Sequence, residues 1–447
     1  MRITRKYAKI RISPPGPKAR KIIKDDKKFI SPSIIRYYPL VVESISNFIV
    51  RDVDGNQYID FNSGLLCLNV GGSNKKVIEA ISKQLLKFTH YSYTDFYYEL
   101  IPKVAREIIE ITPGKFDKRV FFSNSGAEAI EAAMKLSRWY RKKPIFMAFI
   151  GAFHGRTFGA MSLTASKLVQ REGFFPLLPN IYHVPYPYCY RCPLRETYPE
   201  CGLACVDFIE EQYLSKFVPP GDVAAFFAEP IQGEGGYVVP PPNYFKKLFK
   251  LLKKHGILLV IDEIQTGMGR TGKWFAIEHF GVIPDIITIG KAVASGLPLG
   301  VTVAKKNIMN WPPGSHATTF GGNPLALAAA SAVISEIKDK NLIKNALDQG
   351  NYIKKRLNEM MEKYEIIGDV RGLGLMIGLE IVRDKRSKRP GIKEARKIMI
   401  RAWKRGLAII LAGRSTIRIA PPLTITREAV DEGIEILEES IKETIER

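Results

Sequence analysis

A chain of 447 residues with 46% hydrophobic and 25% charged side chains holds enough apolar material for a large core, which excludes disorder for its bulk. No apolar stretch reaches the roughly 18 residues of a membrane span, and Met1-Arg2-Ile3-Thr4-Arg5-Lys6 lacks the apolar core of a signal peptide, so a cytoplasmic protein without a membrane partner is expected. The formal charge of +22 suits polyanions, yet the basic residues are spread along the whole chain with no helix-turn-helix, RNA-recognition or zinc-finger signature, leaving nucleic-acid binding a remote alternative.

Residues 1 to about 46 read as a basic arm that drapes over its own or a partner subunit, with Pro14-Pro15-Gly16-Pro17 unable to sit inside a helix or sheet. A hairpin is expected around Asp54-Gly55, followed by the segment Gly64-Leu65-Leu66-Cys67 and an amphipathic helix near 76–88. The strand 118–122 breaks at Ser123-Asn124-Ser125-Gly126-Ala127 before a helix with Ala129, Ala133, Leu136 and Tyr140 on one face. A helix opened by such a turn aims backbone N–H groups at one point, which suits a phosphate, although most such caps bind nothing.

The strand 144–150 ends at Gly151-Ala152-Phe153-His154-Gly155-Arg156. Phe153 suits either a planar ring or plain core, and the Arg156 guanidinium suits bidentate capture of a carboxylate. Cys189, Cys192, Cys201 and Cys205 share an insertion at about 186–206; metal binding, disulfides and free packing thiols all remain open for them. The strand 223–228 then ends in Glu229-Pro230-Ile231-Gln232-Gly233-Glu234.

Two continuous apolar runs follow. Ile257-Leu258-Leu259-Val260-Ile261 stops at Asp262-Glu263-Ile264-Gln265-Thr266-Gly267, and Ile286-Ile287-Thr288-Ile289-Gly290 delivers Lys291. Short runs of this kind read as strands buried on both faces of a parallel sheet, whose ligands gather at the carboxyl ends of the strands. Neighbouring strands would then present an aspartate and a lysine to one crevice. A lysine amine can hold an aldehyde and a carboxylate can keep a pyridine nitrogen protonated, the two demands of pyridoxal phosphate. Taken singly, Asp262 reads as a strand cap and Lys291 as a solvated cation.

The motifs at Asp60–Gly64, Asn124–Ala129, Phe153–Thr157, Glu229–Gly235, Asp262–Gly267, Lys291 and Thr319–Pro324, in this order, resemble those of the class III (omega-amino-acid) aminotransferases of pyridoxal-phosphate fold type I, from about Asn47 to about Ile441. The resemblance implies an α/β fold with a mostly parallel sheet, a large cofactor domain at 75–330, a small α+β domain at 331–447, and an N-terminal segment at 1–74 packing with the small domain. It implies an enzyme that is a homodimer or a dimer of dimers and works on amino and oxo acids, with Lys291 on the cofactor aldehyde and Asp262 on its ring nitrogen. Ser125, Gly126 and Ala127 would take its phosphate, Phe153 and Ile264 the two ring faces, and Gln265 the phenolic oxygen.

Thr319 would reach the phosphate of the neighbouring subunit, and Arg156 would hold the substrate carboxylate distal from the reacting amine. Glu234 and Arg418 match a switching ion pair that admits two unlike substrates. Leu65 stands where relatives preferring ornithine carry tyrosine and those preferring 4-aminobutyrate carry an aliphatic residue. The expected reaction moves an amino group from a 4-aminobutyrate-like donor to 2-oxoglutarate. Some relatives are amino-acid racemases, which is the alternative, with Glu234 as the second acid-base group. One departure is Gly71-Gly72-Ser73-Asn74-Lys75, where relatives usually carry Gly-His-x-His-Pro.

Overall fold

The computed structural model describes residues 5–446, which fall into two compact units. One unit runs from Lys76 to Ile343, and the other comprises the chain up to Lys75 and from Lys344 onward.

The Lys76–Ile343 unit is built on a seven-stranded sheet. In spatial order the strands are Lys118–Ser123, Gly300–Lys305, Ile286–Ile289, Leu258–Asp262, Val223–Ala228, Ile145–Phe149 and Ile181–Val184. The strand Gly300–Lys305 is antiparallel to both its neighbours, while the pairings from Ile286–Ile289 to Ile181–Val184 are all parallel. All residues of the four central strands in this parallel series are buried, the reason their sequences are apolar without alternation. The helix Gly126–Arg141 buries Ala129, Ala132 and Ala133, whose small side chains let it lie close to the sheet, and it ends with Lys142 in the left-handed region at φ 55°. One buried cluster joins Ile130 and Leu136 of this helix to Phe146, Phe227, Val260 and Ile286 of the strands. The helix Pro324–Asp339 opens with proline at its first turn and with the Asn323 side chain accepting from Leu325 N.

The other unit holds two four-stranded sheets. In one, Val42–Ser46, Ile49–Asp52 and Gln57–Asp60 are antiparallel, and Leu407–Ala408 joins parallel to Gln57–Asp60. The other runs Ile367–Leu373, Met376–Ile381, Thr416–Ile419, Ile410–Ala412, all antiparallel. The arm is held to its own unit: Arg5 donates to the Arg405 carbonyl and pairs with Glu439 at 2.6 Å, and Ala8 N donates to Glu432. Within it lies a helix, Pro17–Phe29, that the sequence reading did not separate from the irregular arm. Pro17 occupies the start of that helix, where its missing N–H has no cost, and Asp54 accepts from the amides of Lys18 and Ala19.

The expected hairpin forms, and one buried carboxylate organises its turn. Asp52 accepts from Asp54 N, Asn56 N, Asn56 Nδ2 and the Tyr58 hydroxyl at 2.8–3.0 Å. Burial and then the bond to Asp52 push the Tyr58 hydroxyl up. Asp52→Ala would strand these donors in a dry site, so it should destabilise the unit by about 2–4 kcal/mol, read as a lower urea midpoint and faster amide exchange in the hairpin.

Candidate active site at the strand ends

The parallel strands finish along one edge of the sheet, and the predicted motifs occupy the turns that follow them. Asp262 pairs in register with Thr288 on the neighbouring strand, three residues before Lys291. Its carboxylate is buried; Oδ1 accepts from Ile264 N at 3.0 Å, and Oδ2 lies 2.7 Å from His154 Nδ1. Because a carboxylate only accepts, Nδ1 is the nitrogen that carries hydrogen. Lys291 follows an extended Gly290 and is itself held at φ 46°, a left-handed conformation that costs an L-residue energy and that concentrates at functional sites.

Close packing brings these turns together. A β-carbon on Gly290 would lie 3.4 Å from Gly126 Cα and 3.3 Å from Ile264 Cγ2, and one on Gly126 would lie 2.8 Å from Ile264 Cδ1. The residues before Lys291, after Asp262 and after Ser125 therefore meet at Ile264. Ser125 caps the helix with its Oγ accepting from Glu128 N, while its carbonyl accepts from Ala129 N. Glu128 reaches back to Asn124 N and Nδ2, both at 2.9 Å. The first-turn amides of Gly126 and Ala127 have no place in the helical ladder and make a ready cradle for an anion. Thr318, beside the predicted Thr319, accepts from Asn124 Nδ2 at 3.2 Å, whereas Thr319 itself is exposed.

The loop after Ile145–Phe149 completes this edge. Phe153 is half-buried with the Arg156 guanidinium 5.5 Å from its ring centre, and Arg156 is exposed. Phe153 N and Gly233 N both donate to the buried Glu229 carboxyl at 2.9 Å. Burial pushes that carboxyl up to about 7; the His154 charge works against the rise and Asp262 adds to it. A side chain on Gly233 would strike Gln265 Oε1, an atom that is buried with no hydrogen-bond partner among the described residues. Glu234 forms an ion pair with Lys167 at 3.1 Å. The sequence reading did not single out Lys167, because nothing in its local pattern announces a partner 67 residues away.

The two remaining predicted residues belong to the other unit. Arg418 is fully buried on Thr416–Ile419, in register with Gly378 and Ile410. Leu65 is 41% exposed within a run, Ser63 to Leu66, whose four residues all have φ between 49° and 65°. Asp60 accepting from Asn62 N and Ser63 N, together with the Ser63 hydroxyl donating to the Ala420 carbonyl, holds the start of that run.

Comparison with known proteins decides the family. The profile described as Aminotransferase class-III matches residues 33–441. An alanine/serine racemase of Pyrococcus horikoshii is 43% identical, with 99% of this chain and 94% of the relative covered. A 4-aminobutyrate aminotransferase of Mycobacterium leprae is 37% identical, with 95% of each covered. An amine transaminase of an uncultivated Pseudomonas species, solved with pyridoxal phosphate bound, superposes with a TM-score of 0.84 at 30% identity, covering 90% of this chain and 95% of that one. The chain belongs to the class III aminotransferase family.

Class III aminotransferases depend on pyridoxal phosphate, and the residues at the strand ends of this one fit that group. The amides of Gly126 and Ala127 suit the phosphate, Asp262 a ring nitrogen, and the orphaned Gln265 amide, in either orientation, a phenolic oxygen. Cys189, Cys192, Cys201 and Cys205 stand apart from that site in sequence and form no disulfide; burial pushes Cys205 up to about 12, with Cys189, Cys201 and Cys192 adding to it. Among the described residues no group of three or more His, Cys, Asp or Glu side chains is arranged to hold a metal, and no helix is long and apolar enough to cross a membrane.

A second buried acid ties down the Asp262 turn. Glu263 accepts from Ala276 N at 3.0 Å, from Ile277 N at 2.8 Å and from the Thr266 hydroxyl, and burial pushes its carboxyl up to about 7. A carboxyl raised from 4.5 stabilises the fold fully below its unfolded pKa and loses that contribution as pH climbs through about 7. Stability should fall over this window by at most roughly 1.4 kcal/mol per pH unit for this one group. Glu263→Gln, whatever its constant offset, should flatten that slope in chemical unfolding followed from pH 5 to 8.

Proposed function

We propose that this enzyme moves an amino group from an omega-amino acid bearing a distal carboxylate, of the 4-aminobutyrate kind, to 2-oxoglutarate. The observation that carries the reading is Arg156, an exposed guanidinium held beside Phe153 on the loop that also contributes His154 to Asp262. A cation at that place suits a substrate carboxylate that lies away from the reacting amine.

Pyridoxal phosphate supplies an aldehyde that condenses with amines and a ring that takes up the electron pair of the substrate's reacting carbon. In this reading Asp262 holds the ring nitrogen, Phe153 and Ile264 hold the two ring faces, and Gln265 holds the phenolic oxygen. Ser125, Gly126 and Ala127 take the phosphate. Lys291 would hold the cofactor aldehyde and, with its amine free, would take the proton from the reacting carbon of the substrate and give it back in the second half-reaction. Glu234 masks Arg418 while the omega-amine is bound, and releases it for the carboxylate of the oxo acid. Leu65 lines the substrate mouth, and Thr319, exposed in one chain, serves the phosphate of a second copy in a homodimer.

A second reading has its own support, since the alanine/serine racemase is more similar, at 43% identity, than the 4-aminobutyrate aminotransferase at 37%. Racemisation needs a proton donor on each face of one carbon, and Glu234, paired with Lys167 at 3.1 Å, would be the second acid-base group beside Lys291.

Incubating the enzyme with 4-aminobutyrate and 2-oxoglutarate should yield glutamate. Arg156→Met should raise KM for the donor roughly tenfold to a hundredfold with kcat little changed, as expected for a lost charge-assisted contact. Loss of optical activity from L-alanine or L-leucine without any oxo acid, and no glutamate from the omega-amine, would replace this reading with the racemase. In either case Lys291→Ala should leave no cofactor attached to the polypeptide after borohydride reduction, as measured by mass spectrometry.

A further inference from the structure

Arg156 lies between two residues that are each pressed on the helix Gly126–Arg141, whose first turn suits the cofactor phosphate. Gly155 precedes it at φ 148°, and a β-carbon there would lie 2.7 Å from Ala127 Cβ and 2.8 Å from Ala160 Cβ. Thr157 follows it, and the Thr157 hydroxyl donates to Glu131 Oε1 at 2.5 Å. Glu131 stands one turn beyond Ala127 on the same helix. The next helix, Phe158–Leu163, has Thr157 at its N-cap, yet the Thr157 side chain does not cap it. A threonine at that place ordinarily accepts from an amide of the first turn. Here the hydroxyl is turned to Glu131 as a donor, and the carboxylate takes over the cap by accepting from Ala160 N at 3.0 Å. A β-carbon on Gly159 would lie 2.2 Å from Glu131 Oε2, so the carboxylate rests directly on that turn.

We propose that Glu131 is a positioning residue that aims Arg156 at the substrate carboxylate, and so ties the phosphate end of the cofactor site to the choice of substrate. The Arg156 guanidinium is exposed beside the Phe153 ring, and a long side chain on a loop is aimed only as well as its backbone is held. Glu229 holds that backbone ahead of it, at Phe153 N, and Glu131 holds it behind, through Thr157 and Ala160. Misplacing a binding group by about 1 Å can cost up to roughly a hundredfold in rate. Glu131 shares one rigid helix with the amides of Gly126 and Ala127, so the group that seats the phosphate and the group that seats Arg156 move together. This inference rests on the reading in which Arg156 meets the donor carboxylate distal from the reacting amine.

The experiment measures KM and kcat for 4-aminobutyrate at saturating 2-oxoglutarate in the wild-type holoenzyme, Glu131→Ala, Arg156→Met and the double variant, with thermal unfolding of each as the check on folding. Glu131→Ala should raise KM roughly tenfold with kcat within a factor of about two. Glu131→Gln, which keeps an acceptor for Thr157 and Ala160, should recover most of the loss. On the Arg156→Met background Glu131→Ala should raise KM no further, the non-additivity of two residues that act through one contact. An equal rise on both backgrounds, or a fall in kcat with KM unchanged, overturns the proposal, since a merely structural role would give either. If Arg156→Met raises KM and Glu131→Ala does not, the proposal falls and the reading of Arg156 stands. If neither raises it, or the wild type makes no glutamate from this donor, both fall. Should Glu131→Ala not fold, Thr157→Val removes one of the two donors and gives the same comparison, with an expected rise of roughly threefold.

Discussion

Ile264 occupies the space that side chains on Gly126 and Gly290 would need, and the arrangement of the site depends on that three-way contact. Its branched side chain lies against the backbone that opens the phosphate-suited helix and the backbone that precedes Lys291, and its own amide fixes Asp262. A packed interior tolerates little change of volume, so the three strand ends cannot shift separately. The positions of lysine, aspartate and helix cradle are thereby coupled through one aliphatic residue.

The same edge concentrates unfavourable features of a kind a merely structural turn would avoid. Lys291 is held in the left-handed region, Glu229 and Glu263 are buried carboxyls, and the Gln265 carbonyl oxygen has no hydrogen-bond partner among the described residues. Backbone strain persists only where the surroundings over-determine it. Here they do, since Gly290 is pressed on Gly126, Glu263 holds the amides of Ala276 and Ile277, and Glu229 holds those of Phe153 and Gly233. Buried acids serve as the fasteners for the loops, at a cost in stability that rises with pH.

Much of this was legible along the chain, for a physical reason. The strands are buried on both faces, so the runs before Asp262 and Lys291 are apolar without interruption and end abruptly where chemistry begins. The Ser125 cap carries its own local signature, with Glu128 three residues on. The partners of those residues were not legible. His154 with Asp262 spans 108 positions and Lys167 with Glu234 spans 67, and side-chain pairs at such separations leave no periodicity to read. The helix Pro17–Phe29 was missed because its lysines and aspartates give it a weakly apolar face, and its start is secured by Asp54 from another element.

The net charge gains a different meaning once the acids are placed. With +22 on the whole chain and Asp262, Glu229 and Glu263 all buried in one unit, the surface is more positive than the formal sum conveys. A cofactor with a phosphate is an anion, as is an oxo acid, so a broad positive field draws them toward the protein over distances of about a Debye length, roughly 8 Å at physiological ionic strength. Discrimination has to come from groups at contact range, where the field is sharply structured. Arg156 is exposed enough to meet an incoming carboxylate, while Glu234 is compensated by Lys167. The diffuse charge therefore favours encounter with any anion, and the choice among anions is left to a few fixed side chains at the strand ends.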